Sequence, residues 1–283
     1  MPRRAVTAIL LLACALPGLL FGGPLYFLAA DFVLVMAAWE YVDMARGSDL
    51  QASRPVVIGG VIAITIARAY FPEYSVAAFT FCIMLAMSVH LIDYERGRER
   101  AVLDFLCTLG GIAYMGWVGA YLIDLRFLPN GGWWILMVLP IVWAVDTGAY
   151  SIGSRYGTHK MVPRLSPNKS WEGFWAGAIG GTLGGAFFAF AYSPWGPVST
   201  PFWGIVLQGN GPLHLPIWQG ALFGLAVGLL TPLGDLGESM IKRQAQVKDS
   251  GNLFPGHGGA FDRIDSWLWA AVLGYYFITW FVH

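Results

Sequence analysis

The sequence predicts an all-α fold, a polytopic membrane protein built as a bundle of about nine transmembrane helices with a cytoplasmic N-terminus. Three observations support this prediction. Hydrophobic residues make up 57% of the 283 residues, and charged residues only 12%; soluble domains carry about 25% charged residues. The mean hydropathy is +0.58. The apolar residues also gather into long runs. Such a chain has too little polar surface to cover a globule in water, so its expected solvent is the lipid bilayer.

The apolar runs define the predicted helices, because a helix needs about 20 mostly apolar residues to cross a bilayer. They lie at about 5–22, 24–42, 55–71, 75–92, 102–124, 132–154, 173–193, 215–241 and 264–282. The run 215–241 is long, so its C-terminal part is expected to leave the membrane. Gly177, Gly181 and Gly185 recur at a spacing that favours close helix packing. No repeat or linker divides the chain, so we expect one domain, 1–283.

The cysteines Cys14, Cys82 and Cys107 all lie inside apolar runs. Their spacing fits neither a zinc site nor a disulfide framework, so we interpret them as packing residues. The pair Arg3-Arg4 before the first apolar run also resembles a cleaved signal segment. We favour a retained helix, because a second apolar run follows at once.

The distribution of Lys and Arg predicts the orientation. If the N-terminus is cytoplasmic, then of the 17 Lys and Arg residues only Arg68 and Arg126 fall on the opposite side. The segment 194–214 contains no Asp, Glu, Lys or Arg. The charged, Gly-rich segments at about 146–173 and 234–265 therefore both border the cytoplasm. A soluble, charged substrate is expected to meet the protein there.

Acidic residues stand at or near the ends of the apolar runs in these two segments. A charged side chain inside a membrane helix costs on the order of 3 kcal/mol, so a partner or a cation normally offsets it. Asp235 and Glu238 are three residues apart and share a face if helical. Without a Cys or His cluster, these oxygen ligands favour Mg²⁺ over zinc. The candidate metal ligands are Asp146, Asp235, Glu238, Asp249, Asp262 and Asp265. The alternative is that these acids pair with nearby Lys and Arg and bind no metal.

Basic residues recur every few positions among the glycines of the same two segments. They are Lys160, Arg164, Lys169, Lys242, Arg243 and Lys248. Cationic side chains and glycine N–H groups together suit phosphate groups. The alternative is that they only flank membrane helices and set the topology, which is how we interpret Arg96, Arg98 and Arg100. Mg²⁺ ligands and phosphate donors on one membrane face indicate phosphoryl or nucleotidyl transfer. The residues by themselves do not name the nucleotide.

The segment 239–265 contains Lys242-Arg243, Lys248-Asp249, His257-Gly258-Gly259 and Asp262-Arg263-Ile264-Asp265. With these residues at this spacing, it resembles the signature of the phosphatidate cytidylyltransferase family. Ala260 departs from the larger apolar residue that is usual there, which implies a difference in packing. The segment 146–173 is also similar to the family's other conserved stretch, with Ser170 in place of its Thr.

The resemblance implies a multi-span enzyme that joins CTP to phosphatidic acid and releases CDP-diacylglycerol and pyrophosphate. It also implies Mg²⁺, a monovalent cation such as K⁺, a homodimer, and a cavity open to the cytoplasm and the inner leaflet. No nucleic acid partner is expected. We expect a bacterial inner (plasma) membrane, with the site facing the cytoplasm.

Carried over residue by residue, the resemblance assigns roles within both segments. Catalytic roles are assigned to Asp235, Arg243, Lys248 and Asp249, with Asp235 and Asp249 the first choices for the metal centre. Substrate-binding roles are assigned to Lys160, Arg164, Ser166, Lys169, Ser170, Ser239, Lys242, His257 and Arg263. His257 either contacts phosphate or shapes the Gly258-Gly259 turn.

Four alternatives remain. A CTP-dependent polyprenol kinase would transfer the γ-phosphate, and a cytidylyltransferase acting on an ether lipid would use a different acceptor. A transporter would place functional charges near the midplane of the bilayer, whereas the charges here gather on one face. A non-catalytic relative would retain the same motif without turnover.

Overall fold

The computed structural model describes residues 17–196, 214–251, 253 and 258–282. The predicted helix 5–22 lies mostly outside these residues. The α-helices that have defined ends are α1 Gly23–Gly47, α2 Arg54–Tyr70, α3 Ser75–Glu95, α4 Ala101–Gly111, α5 Tyr121–Phe127, α6 Gly131–Tyr156, α7 Trp171–Ala191, α8 Ile217–Leu230, α9 Pro232–Gln244 and α10 Phe261–Phe281. The two strands are β1 Lys160–Val162 and β2 Ser166–Ser170.

Six helical segments in the described part of the chain are long and apolar enough to cross a membrane. They are Gly23–Gly47, Pro72–Glu95, Ala101–Phe127, Gly131–Tyr156, Trp171–Ala191 and Ile217–Gln244. The prediction of an all-α polytopic membrane protein is confirmed, and the chain is an integral membrane protein. The count of nine spans and the cytoplasmic N-terminus stay predictions.

Two predicted spans differ from simple helices. The run 102–124 contains α4 and then a π-helical stretch, Ile112–Val118, before α5 begins. The run 215–241 is interrupted at Thr231, because Pro232 has no N–H to continue the hydrogen-bond ladder and instead begins α9. The hydropathy of both runs is continuous, so hydropathy does not reveal these interruptions.

The segment 155–172, which the sequence predicts to be a loop, is partly ordered into regular structure. Helix α6 continues to Tyr156, and β1 then pairs with β2 in an antiparallel hairpin. Lys160 is opposite Ser170, and Val162 is opposite Ser166. The strands are three and five residues long, too short for their alternation to be visible in the sequence.

The chain forms two compact units. Among the described residues, the first unit consists of Tyr26–Asp124 and Met240–Ile264. The second consists of Leu16–Leu25, Leu125–Ser239 and Asp265–His283, apart from the residues outside the described ranges. In the first unit α2 packs against α3, α4 and the π-helical stretch, and in the second α7 packs against α6 and α8. The single domain 1–283 stays a prediction.

Glycines set how closely α7 and α8 approach each other. A Cβ atom on Gly181 or on Gly224 would overlap the backbone carbonyl of the other residue, and Gly185 and Gly220 have the same relation. Side chains of any size would therefore push the two backbones apart. The close packing that the spacing of Gly177, Gly181 and Gly185 predicts is confirmed.

Two acidic residues within the helices of the first unit, Asp31 and Asp104, have polar partners. The Thr65 hydroxyl donates to Asp31 Oδ1 at 2.7 Å. Asp104 is 1% exposed and accepts from the Gln51 N–H and the Arg98 Nε, each at 2.7 Å. These contacts offset the cost of burying each carboxylate.

The first prediction concerns the glycine contact between α7 and α8. We expect Gly224→Ala to lower the free energy of unfolding by about 1–3 kcal/mol, because the new methyl overlaps the Gly181 carbonyl. The readout is the thermal unfolding midpoint in detergent. The control is Gly59→Ala on α2, where a Cβ meets nothing within 4 Å, so its midpoint should not fall. Equal midpoints for the two variants would refute this packing.

Candidate active site

Three carboxylates of the second unit form an acidic group. One oxygen each from Asp235, Glu238 and Asp265 lies within 4.8 Å of the others. Asp235 and Glu238 are one turn apart on α9, as their spacing predicts, and Asp265 is near the start of α10. Glu238 is buried, with 2% of its surface exposed. The structure thus brings together three of the six predicted metal ligands.

Gly234 allows α9 to approach α10 closely. A Cβ on this glycine would lie 2.5 Å from the Asp265 carbonyl oxygen and 2.6 Å from Trp269 Cδ1, far inside van der Waals contact. Asp235 is the next residue. Because Gly234 has no side chain, α9 lies close enough to α10 for the Asp235 carboxylate to approach that of Asp265. A larger residue at position 234 would separate the two helices and open the acidic group.

Lys169 and Asp146 border the acidic group. Lys169 Nζ lies 2.7 Å from Asp235 Oδ2, and the Asp146 carboxyl interacts electrostatically with both Asp235 and Lys169. Ser239 donates to Asp235 Oδ1 at 3.3 Å. The pairing with Lys169 balances one of the negative charges gathered here.

The acidic group fits a small divalent cation. Two carboxylates about 5 Å apart repel each other by roughly 3 kcal/mol at an effective dielectric constant of about 20. Oxygen ligands on opposite sides of Mg²⁺ or Ca²⁺ are about 4–5 Å apart, and the oxygens of these three acids lie within 4.8 Å of one another. All three donors are hard oxygens, as both ions require.

The hairpin that carries Lys169 is attached to α7 by Ser170. Ser170 is the N-cap of α7, and its hydroxyl accepts from the Gly173 N–H at 3.2 Å. The residue is 4% exposed, and a Cβ on Gly157 would collide with its side chain. These contacts describe a helix cap. The predicted role of Ser170 in substrate binding stays a prediction.

The remaining polar side chains of the hairpin are accessible. Lys160 and Arg164 are exposed, and Ser166 is half-buried in β2. Lys160 Nζ reaches the Gly157 carbonyl at a long 3.4 Å. Glu172 anchors the first strand, because its carboxylate accepts from the His159 Nδ1 at 2.6 Å and from the Thr158 hydroxyl at 2.8 Å. Lys160 and Arg164 are therefore accessible on the hairpin, and their predicted roles in substrate binding stay predictions.

Asp262 and Lys242 lie in a separate polar cluster in the first unit. Lys242 Nζ contacts Asp262 Oδ1 at 2.6 Å. Asp262 Oδ2 accepts from the N–H groups of Ser250 and Gly259, each at 2.8 Å, and lies 2.9 Å from the Ser250 hydroxyl oxygen. Both carboxylate oxygens thus bind protein groups. Asp262 is not a member of the acidic group among the described residues, and its predicted role as a metal ligand stays a prediction.

Glu40 completes this cluster and was missed in the sequence. It lies on α1 and is 6% exposed. Its carboxylate accepts from the Ser250 hydroxyl at 2.8 Å, the Ala260 N–H at 2.9 Å and the Phe261 N–H at 3.0 Å. A carboxylate within an apolar membrane helix costs about 3 kcal/mol unless it is partnered. The sequence did contain one sign of a partnered acid here, a single Glu inside the apolar run 24–42.

Four of the other predicted site residues are exposed, namely Arg243, Lys248, Asp249 and Arg263. Asp249 is not part of the acidic group among the described residues. His257 falls outside the described residues. The catalytic roles of Arg243, Lys248 and Asp249, and the substrate-binding roles of His257 and Arg263, stay predictions.

The contacts of Ser170 lead to a second prediction. We expect Ser170→Ala to lower the free energy of unfolding by about 1 kcal/mol, because the Gly173 N–H loses its cap. Ser166→Ala, on the same hairpin but outside the cap, should leave the unfolding midpoint in detergent unchanged. If Ser170→Ala weakens CTP binding and leaves the midpoint unchanged, Ser170 is a substrate ligand and not a cap.

Comparisons with known proteins agree with the motifs. The model of the "Cytidylyltransferase family" matches residues 2–281. A phosphatidate cytidylyltransferase of Staphylococcus epidermidis is 34% identical, covering 96% of this chain and 97% of the relative. A phosphatidate cytidylyltransferase of Pseudomonas aeruginosa is 33% identical, covering 98% of this chain and 96% of the relative. One of Synechocystis sp. is 29% identical, with the same coverage of 98% of this chain and 96% of the relative. The match runs through both polar clusters and nearly all the membrane helices, and this chain therefore belongs to the cytidylyltransferase family of nucleotidyltransferases.

Proposed function

We propose that this protein is a phosphatidate cytidylyltransferase, which transfers CMP from CTP to phosphatidic acid and releases CDP-diacylglycerol and pyrophosphate. The observation that carries the proposal is the acidic group of Asp235, Glu238 and Asp265 beside Lys169. Family membership supplies the nucleotide chemistry. The names of the relatives from Staphylococcus epidermidis and Pseudomonas aeruginosa supply the lipid acceptor.

Mg²⁺ is the cofactor that we propose for the acidic group. Asp235, Glu238 and Asp265 would hold it, because their oxygens are hard donors with suitable separations. When bound, such an ion neutralises phosphate charge and stabilises a departing pyrophosphate. Asp146 is close enough to Asp235 to add to the negative potential. A monovalent cation such as K⁺ is a further part of the proposal.

The side chains of the hairpin bind the nucleotide in this mechanism. Lys160 and Arg164 are exposed cations that can contact the triphosphate. Lys169 is held by Asp235 at the edge of the acidic group, where it can contact the same phosphates. Lys248 and Arg243 are exposed and stay proposed catalytic residues.

The reaction is an in-line displacement at the α-phosphorus of CTP. An oxygen of the phosphatidic acid phosphate forms the new P–O bond while the bond to the β-phosphate oxygen breaks, and the electron pair leaves with pyrophosphate. The attacking phosphate monoester is already ionised near neutral pH, so the step needs neither a general base nor a covalent enzyme intermediate. The protein positions the two anions and balances their charge.

The membrane setting of the proposal follows from the substrates. Phosphatidic acid reaches the site from the leaflet and CTP from water, so the acidic group borders the cytoplasmic face of the bilayer. The named relatives are bacterial, and the proposed location is the bacterial inner membrane. The proposed assembly is a homodimer.

The decisive experiment follows the two ends of CTP separately. Purified protein in detergent receives phosphatidic acid, Mg²⁺ and CTP labelled at the α- or the γ-phosphate. We expect α-label in lipid and γ-label in pyrophosphate, with a rate loss of about 100-fold or more in Asp235→Asn. Asp93→Asn, which removes an acid that contacts His90 in the first unit, is the matched control and should retain activity.

Other distributions of label reject the proposal. Transfer of γ-label to lipid would identify a kinase. Transfer of α-label only to an ether lipid or another lipid phosphate would change the acceptor. If neither label moves with any of these acceptors, the protein is a non-catalytic relative.

A fourth prediction tests which acids hold the metal. We expect Glu238→Gln to weaken Mn²⁺ binding, measured by electron paramagnetic resonance on the detergent-solubilised protein, about 10-fold or more, because a buried carboxylate is lost from the acidic group. Asp249→Asn should leave Mn²⁺ binding unchanged, since Asp249 is exposed and outside that group. If Asp249→Asn weakens Mn²⁺ binding and Glu238→Gln does not, Asp249 is a metal ligand and Glu238 is not.

A further inference from the structure

We infer that Glu40 is a positioning residue for the transferase, because its carboxylate fastens both described ends of the segment from Ser250 to Asp262. This inference rests on the proposed function, because the two residues immediately before Ser250 are Lys248 and Asp249, to which catalytic roles are assigned. Glu40 belongs to α1, far from this segment in sequence, and neither the motif nor the charge pattern assigns it a role.

The three donors come from opposite ends of the segment. The Ser250 hydroxyl donates at its start, and the Ala260 and Phe261 N–H groups donate at its end. Phe261 is the first residue of α10, so Glu40 also supplies an acceptor to N–H groups at the start of that helix. The Glu40 side chain thus holds both Ser250, at the start of the segment, and Phe261, the first residue of α10.

The neighbouring glycines show how closely the described ends of the segment approach Glu40. A Cβ on Gly251 or on Gly259 would overlap the Glu40 carboxylate. The backbone therefore approaches a charged group at both ends, and neither position has room for a side chain. Asp262 binds the same segment through the N–H groups of Ser250 and Gly259, so the two carboxylates hold it from two sides.

The contacts require a carboxylate and not merely a polar side chain. Ala260 donates to Oε1, whereas Ser250 and Phe261 donate to Oε2. Both oxygens must accept. Glutamine has the same shape, but its NH₂ group would face at least one N–H or O–H donor and could not accept from it. Glu40→Gln therefore removes acceptors while preserving volume.

The test compares Glu40→Gln with Asp31→Asn. Asp31 is on the same helix and accepts from the Thr65 hydroxyl, so it reports what losing an α1 carboxylate does in general. Hydrogen–deuterium exchange of the peptide containing 258–262 is measured alongside kcat, KM for CTP and the unfolding midpoint. Ser250→Ala, which removes one of the three donors, and Glu40→Asp, which keeps a carboxylate, are milder variants in case Glu40→Gln does not fold.

We expect Glu40→Gln to accelerate exchange of this peptide about 10-fold or more, and to reduce kcat about 10- to 100-fold. Glu40→Asp should recover part of kcat, and Asp31→Asn should leave exchange and kcat unchanged. If Glu40→Gln does not fold, Ser250→Ala should show both effects to a smaller degree.

Two outcomes overturn the inference. If exchange in the Glu40 and Ser250 variants equals that of the wild type, Glu40 does not hold the segment. If exchange accelerates while kcat is preserved, Glu40 is only a structural anchor. Failure of the proposed function is distinct, because the wild-type protein would then make no CDP-diacylglycerol, while the exchange result would still decide whether Glu40 holds the segment.

Discussion

Burying carboxylates in apolar helices is the constraint on which the rest of this structure depends. Lipid offers them no hydrogen bonds, so each must find partners within the protein. In the first unit, Glu40 and Asp104 both accept from backbone N–H groups. These two acids hold connecting segments to helices, and the hydrogen bonds that they accept offset the cost of burial. In the second unit, Asp235, Glu238 and Asp265 instead gather beside one another, where their mutual repulsion opposes folding unless a positive charge offsets it.

Close backbone packing places these acids. Gly234 lets α9 approach the Asp265 carbonyl, and Gly251 and Gly259 let the backbone lie against Glu40. The same device joins α7 to α8 through Gly181 and Gly224. Glycine has no Cβ, so it lets two backbones approach closely, at a cost in helix propensity. The abundant glycine of this chain therefore serves the position of its charges as much as the packing of its helices.

The sequence predicted the fold class and most helices because hydropathy acts over about 20 residues and is strong in this chain. It also predicted that Asp235 and Glu238 share a face, because one helical turn decides that relation. It did not predict the hairpin Lys160–Ser170, whose strands are too short to show a period. Nor did it find Glu40, whose partners are 210 to 221 residues away. Contacts of that range depend on packing, and no local pattern encodes them.

The signature segment combines two kinds of residue that look alike in sequence. Asp262 and Asp265 are one helical turn apart, and both were assigned to the metal. Asp262 directs both oxygens at protein donors, Lys242 on one side and Ser250 and Gly259 on the other. Asp265 instead joins the acidic group with Asp235 and Glu238. A fixed spacing of charged residues therefore does not imply a shared task. Part of the motif holds its own segment and part of it belongs to the acidic group, and only the partners of each oxygen separate the two.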